Sequence, residues 1–181
     1  MKRSLYFFLL LMVIGFGQLS FAQNSVSGTA TYARNNSQIW PMKNITILLS
    51  QDSSTLYQTN TDSTGYYSFT NIPDGSYTLT ATTTRPWGYA SSSDELAIMK
   101  HFIGIAPLTG IALIIANVNN DQAVNSIDAL LVARRFVCQI ISFPSADWYF
   151  EKFTVILNGD TITQNIKGAC YGDANLSGSP N

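Results

Sequence analysis

The sequence predicts a multi-module protein: an all-β sandwich over residues 23–86, a small α-helical unit over 87–145 and a C-terminal β-hairpin within 146–181. Two observations support this division. In the first range, β-branched and aromatic residues alternate with polar ones at period two, between clusters of Gly, Pro, Asn and Asp. In the second range, apolar residues recur at spacings of three and four, which is the helical period.

The N-terminal segment, residues 1–22, has the pattern of a secretory signal peptide. Lys2 and Arg3 precede an apolar run from Leu5 to Phe16, and Ser20-Phe21-Ala22 supplies the small residues of a cleavage site. The apolar run is shorter than the roughly 20 residues that a membrane-spanning helix needs. We therefore expect a secreted or cell-surface protein with no membrane span after removal of the signal.

Composition excludes several functional classes. The 181 residues carry 10 basic and 11 acidic groups, a formal net charge of −1. This balance lacks the basic footprint of a nucleic-acid-binding protein. The single histidine, His101, provides no Ser-His-Asp set, and together with two distant cysteines it provides no zinc site. We expect a protein that is not an enzyme and has no nucleic-acid partner.

Two cysteines, Cys138 and Cys170, fall in the C-terminal part of the chain. An exported protein can form a disulfide, and a bridge here would tie the end of the second predicted helix to the tail. Two separate thiols are the alternative, because the sequence does not show whether the sulfur atoms meet.

The first module contains five candidate strands. The segments 62–65 and 71–75 separate three of them and combine Asp, Asn, Pro, Ser and Gly, which favour tight turns. The strands are expected at 26–32, 44–49, 55–61, 66–70 and 76–82.

Glycines and apolar residues recur at fixed spacing in the second half of this module. They read Gly65-x-Tyr67-x-Phe69-x-x-Ile72-x-x-Gly75-x-Tyr77-x-Leu79. This pattern resembles the immunoglobulin-like, prealbumin-like sandwich of carboxypeptidase regulatory-like domains and collagen-adhesin B-type repeats. The resemblance implies glycines in tight turns and aromatic side chains in the core. Trp40, Trp87 and Trp148 are candidates for a carbohydrate-binding surface; for Trp40 and Trp87, packing at the module edge is the alternative.

The second module contains a duplicated helical segment. DELAIMKHFI, from Asp94, matches DALLVARRFV, from Asp128, at an offset of 34. Residues at spacings of three and four give each segment an apolar face. These faces comprise Leu96, Met99, Phe102 and Ile103 in the first copy, and Leu130, Ala133, Phe136 and Val137 in the second.

Oxygen-bearing side chains precede the second helix at the spacing of a calcium-binding loop. In NVNNDQAVNSID they fill positions 1, 3, 5, 9 and 12, and the EF-hand type of loop uses a backbone carbonyl at position 7. The predicted ligands are Asn117, Asn119, Asp121, Ala123, Asn125 and Asp128.

This loop and the paired helices resemble a dockerin, the module that attaches enzymes to cohesin-bearing scaffolds. The resemblance implies calcium as the cofactor and a cohesin-like domain as the partner.

Two residues depart from the family pattern, because Asn117 replaces an aspartate and Gln122 replaces a glycine. A non-glycine residue in a left-handed conformation costs about 1–2 kcal/mol. With carboxylates only at Asp121 and Asp128, we expect weak affinity, with a Kd of about 10⁻⁴–10⁻³ M.

The first helical copy lacks a loop of its own, and the end of the chain offers one. Residues 173–181 read D-x-N-x-S-G-x-x-N, which corresponds to the first nine positions of the same loop. We therefore predict a split second site made by the tail and the start of the first helix. Its residues are Asp173, Asn175, Ser177, Asp94 and Ser91. A polar tail without a role in metal binding is the alternative.

Two strands, 153–157 and 161–166, flank an Asn-Gly-Asp turn at 158–160 and predict the C-terminal hairpin. Such a hairpin could carry the tail back across the first helix.

The sequence thus predicts a secreted, non-catalytic docking or display protein in a polysaccharide-degrading or cell-surface assembly. In dockerins, loop positions 10 and 11 help to choose the partner, and the basic helix residues are their neighbours. The corresponding residues are Ser92, Ser93, Lys100, Ser126, Ile127, Arg134 and Arg135. Two alternatives stay open: a carbohydrate-binding surface module with a polysaccharide partner, and a non-catalytic fragment of a larger secreted hydrolase, suggested by the end at Asn181 within a loop motif.

Overall fold

The computed structural model describes residues 24–34 and 38–179. The predicted signal peptide lies outside the described residues. Within these two ranges, no helix combines the length and the apolar character that crossing a bilayer requires.

The described residues form ten strands in two sheets. The strands are β1 (Asn24–Tyr32), β2 (Trp40–Pro41), β3 (Thr46–Gln51), β4 (Ser54–Asn60), β5 (Tyr66–Ile72), β6 (Gly75–Thr82), β7 (Trp148–Phe150), β8 (Phe153–Leu157), β9 (Thr161–Thr163) and β10 (Ile166–Cys170). One sheet has the order β4-β3-β6-β8, and the other is built around β1 with the remaining strands.

Strand β1 organises the six-stranded sheet. Its first half pairs antiparallel with β5 and parallel with β9, so that Ser27 is in register with Ser68 and with Thr163. Its second half pairs antiparallel with β2 and parallel with β10, with Ala30 in register with Ile166. The first strand of the sandwich therefore depends on the last strands of the chain.

The predicted C-terminal hairpin does not form. Strand β8 pairs with β6 in the four-stranded sheet, whereas β9 pairs with β1 in the other sheet. The turn at 158–160 therefore carries the chain from one sheet to the other. Val155, Leu157 and Ile166 are buried in the sandwich core, and a separate extension would leave these apolar side chains in water. The C-terminal segment completes the sandwich, and the helical unit is an insertion between β6 and β7.

The insertion contains three helices within the described part of the chain: α1 (Ser92–Phe102), α2 (Gly110–Ala116) and α3 (Ser126–Phe136). Helices α1 and α3 each begin with a capping box, in which Asp94 or Asp128 accepts the main-chain amide of the N-cap residue. Ile98, Val132 and Phe143 belong to a small core between the helices and the loops around them.

The predicted apolar faces of α1 and α3 point to solvent. Leu96 is 53% exposed, and Leu130, its equivalent 34 residues later, is 56% exposed. Phe102, Ile103, Phe136 and Val137 are also exposed, while Met99 and Ala133 are partly buried. The buried sides of the helices carry Asp94 and Ile98 in α1, and Asp128, Ala129, Val132 and Arg135 in α3. The spacing of the apolar residues correctly predicted two helices. The faces that carry these residues, however, are exposed to solvent on both helices.

The two cysteines do not form a disulfide. Cys138 is exposed after α3, whereas Cys170 is buried in β10. The thiol of Cys170 donates to the main-chain oxygen of Asp147 at 3.3 Å. Of the two alternatives left open by the sequence, the structure has two separate thiols.

Candidate functional site

The carboxylate of Asp128 closes the loop that precedes α3. Its Oδ1 accepts the main-chain amides of Val118 at 2.9 Å and Asn119 at 3.3 Å, and its Oδ2 accepts that of Asn125 at 2.9 Å. Asp128 is fully buried. One side chain therefore joins the beginning and the end of the predicted calcium loop.

The other predicted ligands of this loop gather around Asp121. Its Oδ1 accepts the amide of Ala123 at 2.8 Å, and its Oδ2 accepts Nδ2 of Asn119 at 2.7 Å. The main-chain oxygen of Asp121 accepts Nδ2 of Asn117 at 2.7 Å. The structure thus brings the residues at positions 1, 3, 5 and 7 together by hydrogen bonds.

The C-terminal tail forms a second loop against the start of α1. The amide of Asn175 donates to Oδ1 of Asp94 at 3.0 Å, and Nδ2 of Asn175 donates to Oγ of Ser93 at 2.7 Å. Within the tail, Oδ1 of Asp173 accepts the amide of Ser177 at 3.0 Å. The amide of Ser91 donates to Oδ2 of Asp94 at 2.8 Å. The five residues of the predicted split site are therefore neighbours.

The two loops share three hydrogen bonds at equivalent positions. In each loop the aspartate at position 12 accepts the amides of positions 3 and 9, and the side-chain oxygen at position 3 accepts the amide of position 5. Position 3 is Asn119 or Asn175, position 5 is Asp121 or Ser177, position 9 is Asn125 or Ser91, and position 12 is Asp128 or Asp94. The second loop has the same arrangement although its two parts are far apart in sequence.

Backbone conformation gives a further match between the loops. Asn120 and Leu176, both at position 4, have positive φ values of 57° and 54°. The expected strain at Gln122, which holds position 6, is absent, because Gln122 is not among the residues with positive φ. The left-handed residue in the first loop is an asparagine, which tolerates that region better than most residues do. Gln122 therefore carries no conformational penalty of the predicted kind.

Buried carboxylates dominate the electrostatics of the site. Asp94 and Asp173 are both fully buried. Burial raises the pKa of Asp173 to about 7, and the nearby charge of Asp94 adds to the rise. Burial also raises the pKa of Asp94 and of Asp128, against the lowering effect of their amide donors. Two acidic groups held this close favour either a shared proton or a cation.

The oxygen ligands that the two loops can provide suit a hard cation such as calcium. Asn117 Oδ1, at position 1 of the first loop, is buried and has no hydrogen-bond partner. The side chains of the predicted ligands carry carboxylate, amide or hydroxyl oxygens, which calcium prefers. Within the described residues, no three His, Cys, Asp or Glu side chains come together. Each loop would therefore rely on amide, hydroxyl and main-chain oxygens for the rest of its ligands.

Two residues support the second loop: Tyr32, which was not predicted, and Gly178, the glycine of the D-x-N-x-S-G motif. The Tyr32 hydroxyl, on β1, donates to Oδ2 of Asp173 at 2.6 Å and accepts the amide of Cys170 at 3.2 Å. A Cβ atom at Gly178 would lie 2.6 Å from Oδ2 of Asp173 and 2.7 Å from the Tyr32 hydroxyl. Glycine is required at position 178 because the tail passes this close to β1.

The predicted partner-binding residues divide into an exposed set and one buried residue. Ser92, Ser93, Lys100, Ser126, Ile127 and Arg134 are exposed. Arg135 is only 5% exposed, so it does not belong to the partner surface. Its guanidinium lies over the rings of Trp87 at 4.1 Å and Phe143 at 4.5 Å, and it pairs with Asp147 at 2.7 Å. Through Asp147, Arg135 joins α3 to the irregular segment that precedes β7.

Two of the three tryptophans have a cation over the ring. Arg135 covers Trp87, and the Arg34 guanidinium lies 4.9 Å from the centre of the Trp40 ring. Trp148 packs edge-on against Tyr32 and lies nearly parallel to Phe150. Trp40 packs against the core of the sandwich and Trp87 against the core of the helical unit. Trp148 is also packed, because it lies against the sandwich core and its indole Nε1 donates to the main-chain oxygen of Arg85 at 3.0 Å.

Residues 25–98 match the carboxypeptidase regulatory-like domain family. This match confirms the resemblance found in the glycine and aromatic spacing of the sandwich. It covers β1 to β6 and the first part of α1. No curated protein matches the chain.

Several solved structures resemble the chain at low similarity. The TIE protein of Bacillus anthracis has a TM-score of 0.38 and 14% identity, over 82% of this chain and 17% of that protein. A DUF3823 family protein from Parabacteroides merdae has a TM-score of 0.38 and 15% identity, over 82% and 47%. A minor pilin of Streptococcus agalactiae has a TM-score of 0.38 and 11% identity, over 83% and 45%. The chain spans less than half the length of each.

Proposed function

We propose that this protein is a secreted, non-catalytic docking protein whose helical insertion is a dockerin-like module ordered by calcium. The observation that carries the proposal is the shared hydrogen-bond pattern of the two loops, which places Asp128 and Asp94 at the same position of each. A duplicated loop and helix is the arrangement that the resemblance to a dockerin implies.

In this proposal each loop would hold one calcium ion through its oxygen atoms. The first set comprises Asn117, Asn119, Asp121, Ala123, Asn125 and Asp128, and the second comprises Asp173, Asn175, Ser177, Asp94 and Ser91. When bound, calcium would neutralise the buried carboxylates and order the loops. The orphaned Oδ1 of Asn117 supports a ligand at the first loop, because a buried acceptor without a partner is costly.

The proposed docking surface consists of the exposed faces of α1 and α3. Leu96 and Leu130 form an equivalent pair on these faces, each more than half exposed. Exposed apolar side chains on two neighbouring helices favour a protein partner. The exposed basic residues Lys100 and Arg134 are expected to contribute to the choice of that partner through complementary charge.

A pull-down with recombinant cohesin domains tests this function. We expect capture in calcium and loss of capture in EGTA. The double substitution Leu96→Glu with Leu130→Glu should abolish capture without changing the circular dichroism spectrum. Ile156→Glu is the matched control, since Ile156 is 68% exposed on β8, outside the helices, and it should bind as the wild type does. Capture that is unaffected by both EGTA and the double substitution would refute the proposal.

A further inference from the structure

The connection between α1 and α2 depends on the one histidine of the chain. His101 lies in the last turn of α1, and its Nδ1 atom accepts the main-chain amide of Leu108 at 3.0 Å. A ring nitrogen that accepts a hydrogen bond carries no proton. The imidazole in this structure is therefore uncharged, with its proton on Nε2.

This hydrogen bond holds the second half of the connection. The amides of residues 104–106 all donate back to main-chain oxygens at the end of α1. Pro107 has no amide hydrogen to donate, and Thr109, the N-cap of α2, makes no side-chain cap bond. Among the described residues, no hydrogen bond other than that of Leu108 joins residues 107–109 to α1.

Leu108 and α2 lie between the two cores of the molecule. The Leu108 side chain packs against both the sandwich core and the core of the helical unit. In α2, Ala112 and Ile115 are buried in the first of these cores and Ala116 in the second. Asn117, the C-cap of α2, is the first residue of the loop that precedes α3. The connection therefore fixes the start of a short helix that leads directly into this loop.

Protonation of His101 would remove the hydrogen bond from Leu108. An imidazolium ring donates from both nitrogens and accepts at neither, so two N–H groups would face each other. The Leu108 amide, which is partly buried, would be left without an acceptor, and that is destabilising. Histidine ordinarily changes its charge between pH 5 and pH 8. We propose that His101 is an acid-sensitive switch, which holds the connection to α2 at neutral pH and releases it in acid.

The elements around His101 offer few other groups that could cause such a change. The connection and α2, residues 103–116, contain no titratable side chain. Helix α3 packs against α1. The other charged residues of these two helices are Asp94, Glu95, Lys100, Asp128, Arg134 and Arg135. Arg135 pairs with Asp147, and no ion pair among the described residues joins His101 to a carboxylate.

The effect of acid on the C-terminal tail has the opposite sign. Burial raises the pKa of Asp173, so protonation of this carboxylate favours the folded state. Loosening of the connection in acid would therefore point to His101 and not to Asp173.

Hydrogen exchange of the full chain, followed by NMR in EGTA, tests the inference independently of calcium binding and docking. We expect the protection factor of the Leu108 amide, which is corrected for the intrinsic pH dependence of exchange, to fall at least tenfold between pH 7.5 and pH 5. The Ile105 amide donates to the main-chain oxygen of Lys100 at 2.9 Å. It is the internal control and should keep its protection. No loss at Leu108, or an equal loss at Ile105, would overturn the proposal.

Two substitutions separate the hydrogen-bond acceptor from its titration. His101→Asn places an uncharged oxygen near the position of Nδ1, so it should keep the protection of Leu108 at both pH values. His101→Leu has no acceptor and should leave Leu108 unprotected at both. An acid-induced loss in His101→Asn as large as that in the wild type would assign the effect to another group and would also overturn the proposal.

Discussion

The amide of Asn175 donates to Oδ1 of Asp94 at 3.0 Å, although 81 residues separate them in sequence. This hydrogen bond joins the C-terminal tail to the first turn of α1. Its equivalent in the other loop joins Asn119 to Asp128 at 3.3 Å across 9 residues. The same local structure is therefore built once from continuous sequence and once from two distant segments.

Removal of the Asp94 carboxylate should destabilise the protein strongly. Asp94→Ala leaves the partly buried amides of Ser91 and Asn175 without their acceptor, and hydrogen bonds to charged groups contribute about 1.5–3 kcal/mol each. We expect the free energy of unfolding to fall by about 2–4 kcal/mol in urea denaturation. Glu95→Ala, one residue along the same helix, is the control and should change stability by less than about 0.5 kcal/mol. Equal effects of the two substitutions would contradict the role given to Asp94.

Stability in calcium-free buffer should depend on the protonation of Asp173. Its pKa is raised to about 7 by burial and by the charge of Asp94, whereas an unfolded aspartate has a pKa of about 4. The folded state therefore keeps a proton that the unfolded state has lost between these values. This contribution to stability is complete below pH 4 and is lost as the pH rises through 7.

Thermal unfolding in EGTA at pH 5 and pH 8 measures this dependence. The wild type should lose more stability than Asp173→Asn over this interval, because the amide cannot titrate. Calcium requires the ionised carboxylate, so its addition should reduce the loss in the wild type at pH 8. A pH dependence that is the same in both proteins would show that Asp173 is not responsible.

Only one of the two thiols should react in the native protein. Burial raises the pKa of Cys170 to about 12, so its reactive thiolate is scarce at pH 8. Cys138 is exposed. We expect Ellman's reagent to modify one thiol in native protein and two in guanidinium chloride, with the native reaction removed by Cys138→Ser. No reaction before addition of reductant, even in denaturant, would instead indicate a disulfide.

Local sequence patterns predicted five of the first six strands, β1, β3, β4, β5 and β6, whereas the two-residue strand β2 was not predicted. The turn glycines Gly65 and Gly75 do have positive φ. The pairing of β1 with β9 and β10 was not predicted, because strand partners depend on contacts distant in sequence. The same limit explains the false hairpin, since the Asn-Gly-Asp segment has turn chemistry but joins strands of different sheets.

Side-chain chemistry located the candidate site better than hydrophobic periodicity did. The D-x-N-x-S-G spacing indicated that the tail would complete the first helical copy, and the tail does contact Asp94. Periodicity did not show which helix face is buried, because Asp94 and Asp128 turn inward to accept main-chain amides. Tyr32 could not be predicted at all, since nothing in β1 distinguishes it from other core aromatics.

A calorimetric calcium titration tests the central claim, that two equivalent loops bind calcium, most directly. The wild type should bind two calcium ions with Kd values of about 10⁻⁴–10⁻³ M. Asp128→Ala and Asp94→Asn should each remove one site, provided that circular dichroism shows each variant to be folded. The absence of saturable binding in the wild type, or two sites remaining in both folded variants, would contradict the account.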